Sequence, residues 1–487
     1  MRSWLALFFL ILAVSVSAQD RARTRRYAPE VLREDFIFLR KVLGQTHPGL
    51  YSYTPPEKLN TYFTWAYNSI TDSMTEVQFR NLLSFAVSKI RCGHTVVKPS
   101  KSYSKGGPDR SPVFPFQTRV WKDSLVVTYS RFRGDSALPR GTVITSVNGK
   151  PVPEILSSLY EFMSTDGYSI GVNEIRLSYS FPSYYRSVFG SSEKFEVGYI
   201  NDSGVEEKRE FCAYVPPAPD STQKKEKKKE KVSARKTRAK AREDARSMRI
   251  DSITGAPIVE INTFMNGFRL PKFYRQTFRH LRKNNSENLI IDIRDNGGGN
   301  IRNYILLAKY LKKGPFGFAD SVIAVTAGLP TKRYIEGSLL NDLYIKLFTH
   351  KGGEGNHHFT YFENKVFRPK KKNHYDGQIY IITSGQTFSA ATLFASTLKG
   401  QENCLIVGEE TGGGAYSNNG MLIPELTLPR TKVRVTLPLF RIVIDSNRPN
   451  DGRGILPDVE VLPSTESIRR GIDSKLTAVQ QRIIAGL

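Results

Sequence analysis

The residues best suited to chemistry lie between Asn288 and Gly414. Gly377 to Thr383 (GQIYIIT) has the short apolar run of a buried strand, and it leads through Ser384-Gly385-Gln386-Thr387-Phe388-Ser389 into a helical run, Ala390 to Leu398. A serine at the first turn of a helix that follows a sheet strand sits at the carboxyl end of the strands, where its hydroxyl can face a cleft and act as a nucleophile. The commoner use of serine in that place is as an N-cap. A second junction stands upstream: Asn288 to Arg294 (NLIIDIR), then Asp295-Asn296-Gly297-Gly298-Gly299-Asn300, then the helical run Tyr304 to Leu311. Three glycines let the backbone turn tightly and leave N–H groups bare, so this loop can hold a phosphate or an oxyanion that exists only in a transition state. Arg302 occupies the third glycine position of a dinucleotide fingerprint and no Gly-Lys-Ser/Thr follows, which argues against a nucleotide. A serine nucleophile needs a proton acceptor. Spacing alone does not choose among His47, His94, His280, His350, His357, His358 and His374.

The elements that must position these residues can be read in order. Met1-Arg2-Ser3, an apolar run from Trp4 to Val16 and Ser17-Ala18 have the pattern of a secretory signal cut after Ala18. The expected product is an exported protein, periplasmic or extracellular, soluble after cleavage. Cys92, Cys212 and Cys404 are too few for a disulfide framework. Helical spacing over Val31 to Val42, from Pro55, and from Thr75 to Ile90 predicts a helical cap, ending in Arg91-Cys92-Gly93-His94-Thr95. Alternating residues over 112–150 and the hairpin-like Leu138 to Val152 resemble the core of a PDZ domain, a module that adds an extended peptide to a sheet edge.

Composition then changes abruptly. Ser221 to Ile250 carries thirteen Lys or Arg and four Asp or Glu, a net +9 of the chain's formal +25, with almost no large apolar residue. This is the composition of a solvated insertion, with weak contact to a membrane surface as the next reading; aromatic platforms for nucleic acid are absent from it. Beyond it, Ile258 to Phe264 and Ser321 to Ala327 read as strands and Lys272 to Leu281 as a helix. Gly328 to Asp376 reads as a long loop walling the cleft, Val459 to Leu462 as a final strand, and Thr465 to Ile484 as a closing helix. Adjacent His357 and His358, with no carboxylate or cysteine at ligand spacing, do not make a metal site, and nothing calls for a metal or organic cofactor.

Three stretches taken together, Asn288 to Gly299, Thr383 to Leu398 and Val407 to Gly414, resemble the signature blocks of the C-terminal processing (tail-specific) peptidases and the tricorn-core protease. The resemblance implies a multidomain α+β and α/β fold, with an N-terminal helical cap, a PDZ-like β-rich module and a crotonase-like α/β peptidase domain. The divisions are 1–18 (signal), 19–105 (cap), 106–215 (PDZ-like), 216–250 (insertion), 251–464 (peptidase) and 465–487 (C-terminal helix). It implies a serine peptidase acting on a peptide or unfolded protein through an acyl-enzyme on Ser389. Gly414 stands where the tail-specific branch has its lysine. The tricorn-like branch uses a histidine and an acid instead. Cys92-Gly93-His94-Thr95 is similar to that branch's histidine motif, with Cys92 in an acid's place, and Asp451-Gly452-Arg453-Gly454-Ile455-Leu456-Pro457-Asp458 is similar to its acid motif. The implied set is therefore Ser389, His94 and Asp451, with Asp445 as the fallback acid. Its oxyanion hole is the backbone of Gly297, Gly298 and Ala390. The alternative is a ligand- or peptide-binding protein on the same fold, as in members resembling interphotoreceptor retinoid-binding protein.

Overall fold

In the computed structural model, residues 23–106, 109–132, 134, 137–217 and 234–486 are described. The expected signal over 1–18, and the part of the basic insertion from 218 to 233, lie outside them. Among the described residues no helix is long and apolar enough to cross a membrane.

The organising element is a six-stranded sheet in the order Arg246–Ile250, Pro257–Ile261, Asn288–Asp292, Gln378–Thr383, Cys404–Gly408, Val459–Glu460. All neighbouring pairs are parallel except the first, which is antiparallel. Parallel strands need both faces covered, which is why Leu289, Ile290 and Ile291 are all fully buried although they alternate faces. Helices Leu270–Lys283, Ile301–Leu311 and Ala390–Leu398 cover one face, and Ser474–Ile484 packs its Val479 against Ile290, Tyr380 and Val407 on the other.

Near the N-terminal end of the described residues stand the helices Pro29–Thr46, Pro56–Asn68 and Glu76–Ser88. The third starts on a capping box, in which Gln78 N–H donates to Thr75 Oγ1 and Thr75 N–H donates to Gln78 Oε1. Their buried residues, such as Leu32, Phe36, Phe79 and Leu83, join one continuous apolar core with the central sheet. Between them and the sheet lies a unit with a core of its own. It is an antiparallel sheet, Phe116–Trp121, Ser124–Ser130, Val143–Val147, Lys194–Ile200 and Glu206–Cys212, packed by helices Val152–Tyr160 and Gly171–Phe189.

Several expectations need correcting. The stretch 216–250 is not insertion throughout: Ala234–Ala245 is helical, and Arg246–Ile250 is the edge strand of the central sheet, pairing from Arg246↔Ile261 to Ile250↔Pro257. Charged residues are tolerated there because an edge strand has one side open to water. The 328–376 stretch is no plain loop, since it holds helix Ser338–Phe348 and the short strands His350–Lys351 and His357–His358. The strands extend a second sheet through Ser321–Ala324, Phe440–Val443 and Ser417–Met421. The closing helix is two, Thr465–Arg470 and Ser474–Ile484, divided at Gly471, whose φ of 66° no continuing helix accepts.

Candidate active site

Ser389 sits at the N-cap of helix Ala390–Leu398 with φ 55° and ψ −124°, and its side chain caps nothing. This left-handed backbone region is one that residues with a Cβ avoid, at a cost of about 1–3 kcal/mol, and it persists only where the surroundings impose it. They do so here. Phe388 N–H donates to Asn296 O at 3.1 Å, Thr387 Oγ1 to Ile293 O at 3.0 Å and Ser384 Oγ to Arg294 O at 2.6 Å, fastening the serine turn to the glycine loop. Gly298, at φ 102°, permits the approach, since a Cβ there would stand 2.7 Å from Ser389 Cβ and 3.1 Å from Ala390 N. Gly413 supports the turn from behind, where a Cβ would meet Thr392 Oγ1 at 2.5 Å and Ser389 N at 3.1 Å.

The partner of the serine comes from 295 residues upstream. His94 lies in a tight loop after the third helix, and its ring packs on Phe388 with centroids 4.7 Å apart. A Cβ placed on Gly420 would stand 3.0 Å from Ser389 Oγ and 3.1 Å from His94 Nε2, so hydroxyl and imidazole flank the same point. Neither ring nitrogen has a hydrogen-bond partner among the described residues. The loop is clamped by its backbone: Thr436 Oγ1 donates to His94 O at 2.6 Å, Ser164 Oγ donates to Thr95 O at 2.8 Å, and Thr95 Oγ1 bonds His47 Nε2 at 2.8 Å. Since Gly49 N–H donates to His47 Nδ1 at 3.2 Å, His47 carries its proton on Nε2 and is a support rather than a base.

Behind His94 stands Asp166, not Asp451. Asp166 Oδ1 is 3.7 Å from His94 Nδ1, and Asp166 is 2% exposed. The same oxygen accepts from Gly93 N–H at 2.7 Å. Asp451 is exposed, and its Oδ1 accepts from Arg453 N–H at 2.9 Å. The motif does reach the neighbourhood: Tyr168 N–H donates to Gly452 O at 2.8 Å, and Gly452 packs on Gly167. Its carboxylate, however, turns outward to cap its own turn. Asp445 is no substitute, being spent on Asn447 N–H and Arg448. Asp458 holds Ile406 N–H and Lys399 beside the last strand.

Of the expected oxyanion donors, Gly298 N–H is already committed to Asn296 Oδ1 at 2.9 Å. Among the described residues the N–H groups of Ala390 and Gly297 have no backbone acceptor. A Cβ on Gly414 would lie against Ser417 O at 2.5 Å and Tyr53 Oη at 3.6 Å, away from Ser389.

An unspent serine on a strained turn, an imidazole beside it and a buried carboxylate behind that ring are the parts from which activated-serine hydrolases are made. Comparison with known proteins adds a likeness. Residues 256–461 match the model of peptidase family S41. Mature CPAF complexed with lactacystin shares the fold at a TM-score of 0.66 and 16% identity, over 94% of this chain and 99% of that one. Mature CPAF alone gives 0.62 and 15%, over 94% and 98%. The photosystem II D1 C-terminal processing protease aligns at 0.40 and 15%, over 91% and 98%. Among curated proteins none matches the chain by sequence.

Asp166 is the functional residue that sequence reasoning missed. It lies in the connection between two helices of the β-rich unit, and no motif marks it. Gly420 and Asn418, whose Oδ1 accepts from Gly420 N–H at 3.0 Å, were also unmarked.

Proposed function

We propose that the chain is a serine peptidase that cleaves peptide bonds through an acyl-enzyme on Ser389. The observation that carries this reading is the Ser389 turn: a non-glycine residue held at φ 55°, its hydroxyl used by no cap and set beside His94 Nε2. Ser389 Oγ attacks the scissile carbonyl carbon, His94 Nε2 takes the hydroxyl proton, and the Asp166 carboxylate keeps the other ring proton on Nδ1 and stabilises the imidazolium. The N–H groups of Ala390 and Gly297 receive the oxyanion, each such donor lowering the barrier by about 3 kcal/mol. His94 then protonates the leaving amine, and water repeats the sequence on the acyl-enzyme.

The finer expectations belong to the same proposal. An N-terminal signal directs export, and the antiparallel unit over 116–212 serves as a PDZ-like module that adds a substrate's C-terminal end to a sheet edge. Cleavage would then fall near substrate C-termini.

Labelling with a fluorophosphonate probe tests the reading. Wild type labels, Ser389→Ala and His94→Ala do not, Asp166→Asn labels at least ~100-fold more slowly, and Asp451→Asn labels as wild type. A folded wild type that fails to label would overturn the peptidase reading in favour of a binding protein on this fold. Loss of labelling in Asp451→Asn but not in Asp166→Asn would return the acid's role to Asp451.

A further inference from the structure

Behind Ser389 three side chains converge that a hydrolytic mechanism uses unequally. The sulfur of Cys92, a ring nitrogen of His94 and a carboxylate oxygen of Asp166 all lie within 4.8 Å of one another. Cys92 is 1% exposed, Asp166 2% and His94 9%. Buried polar atoms are nearly always hydrogen-bonded. Among the described residues His94 Nδ1 and Asp166 Oδ2 have no partner, and at 3.7 Å the ring and the carboxylate do not satisfy one another. The cluster is nonetheless oriented from behind: Gly93 N–H donates to Asp166 Oδ1 at 2.7 Å, and Asn419 Nδ2 donates to Cys92 Sγ at 3.5 Å. A Cβ on Gly93 would meet Phe388 Cζ at 2.7 Å and Asp166 N at 3.2 Å, so glycine between the cysteine and the histidine is what lets both approach Asp166. Oriented donors with spare lone pairs, closely grouped and away from water, are what a metal ion requires.

We propose that Cys92 Sγ, His94 Nδ1 and Asp166 Oδ2 form a site for a borderline-soft divalent cation, best matched by Zn²⁺, and that its occupation switches off Ser389. One thiolate, one imidazole and one carboxylate are a donor set that zinc accepts, and a fourth position is left for water. Thiolate and carboxylate together balance the charge of the dication. Hard cations such as Mg²⁺, which take oxygen ligands, do not fit.

The switch follows from proton accounting, and this half of the proposal rests on the peptidase reading. In the metal-free, catalytically ready site the ring proton is on Nδ1 and the Nε2 lone pair is available to Ser389. Coordination takes Cys92 as the thiolate and the Nδ1 lone pair of the neutral ring, any proton still on the sulfur passing to solvent, and the one ring proton then resides on Nε2. An Nε2–H group donates and cannot accept, so the serine keeps its proton and does not attack. Removing the ion reverses each change.

The test uses the purified chain, stripped with a chelator and titrated with Co²⁺ alone, then with Zn²⁺ against a chromophoric chelator. Wild type binds one Co²⁺ with a sulfur-to-metal charge-transfer band, and Zn²⁺ displaces it. In Cys92→Ala and Cys92→Ser, checked for folding by circular dichroism, the band is lost and Zn²⁺ affinity falls at least ~100-fold. Cys212→Ala and Cys404→Ala bind as wild type. Zn²⁺ blocks fluorophosphonate labelling of wild type, while Cys92→Ser keeps its own metal-free rate. Absence of the band in wild type, its persistence in Cys92→Ser, or equal Zn²⁺ affinity in both would overturn the site. Binding as expected with labelling untouched by Zn²⁺ would overturn the switch. If metal-free wild type does not label, the peptidase reading has failed, and the cobalt spectrum still decides the site.

Discussion

At the scale of single residues, the proposed mechanism makes the ionisation of His94 decide when the site can act. Burial disfavours its imidazolium, but the Asp166 carboxylate and the Cys92 sulfur outweigh burial and raise its pKa to about 9. With Nδ1 and Oδ1 3.7 Å apart, charge rather than hydrogen bonding carries the Asp166 contribution. Burial holds Cys92 toward the thiol, while His47 and His94 pull it down to about 6. Because both nitrogens of His47 are already engaged, His94 is the partner to reckon with. A general base must be neutral, and a raised pKa extends the protonated form upward in pH. The kcat/KM of the chelator-treated protein should therefore climb with pH to a basic limb near 9. Replacing Cys92 by Ser removes a negative neighbour and should move that limb to lower pH. A wild-type limb near 6.5, the ordinary imidazole value, unmoved by Cys92→Ser, would contradict the account. Ser389 and the glycine loop were legible in the sequence because local pattern sets a strand, a turn and a helix start. Asp166 was not, since its place beside His94 is made by packing between segments 72 residues apart. The acid motif at Asp451 showed where the backbone goes; the side chain's direction was settled by its own turn.

At the scale of elements, the site depends on glycines that let strands and turns touch. Gly420, in strand Ser417–Met421, leaves open the point that Ser389 and His94 share. Gly420→Ala puts a methyl group 3.0 Å from the hydroxyl and 3.1 Å from the imidazole, with Asn418 Oδ1 at 2.8 Å. The neighbours are side-chain ends that can give way, so the fold should survive while kcat/KM falls ~100-fold, as expected for misplacement of about 1 Å. Thermal unfolding and hydrolysis rates measured together check this, and an active Gly420→Ala would show that the two groups do not act through that space. The central parallel strands were readable because they are continuous apolar runs. The second sheet was not, because strands as short as His357–His358 carry no alternation. Arg246–Ile250 was hidden by charge, and Pro182 together with the non-helical Ser180 broke the period of Gly171–Phe189.

At the scale of the whole molecule, the N-terminal helices are tied to the C-terminal part of the chain by buried polar contacts as well as by the shared core. Asp35, fully buried on Pro29–Thr46, accepts from Arg430 N–H at 2.9 Å, Thr431 N–H at 2.7 Å and Thr431 Oγ1 at 2.6 Å. Asp35→Ala strands these donors away from water and should cost about 3 kcal/mol. Denaturant unfolding measures it, and a loss under ~0.5 kcal/mol, usual for surface changes, would show that the tie contributes nothing.

The strand Val97–Lys98, three residues beyond His94, pairs with Arg434–Thr436. Contacts so distant along the chain form after local ones, because the entropy of closing the intervening loop must first be overcome. A ribosome-bound or half-folded chain can thus have its serine turn while the imidazole still has no fixed position. On the proposed function, proteolytic competence would be acquired last, and the order of folding itself would keep an immature chain inert.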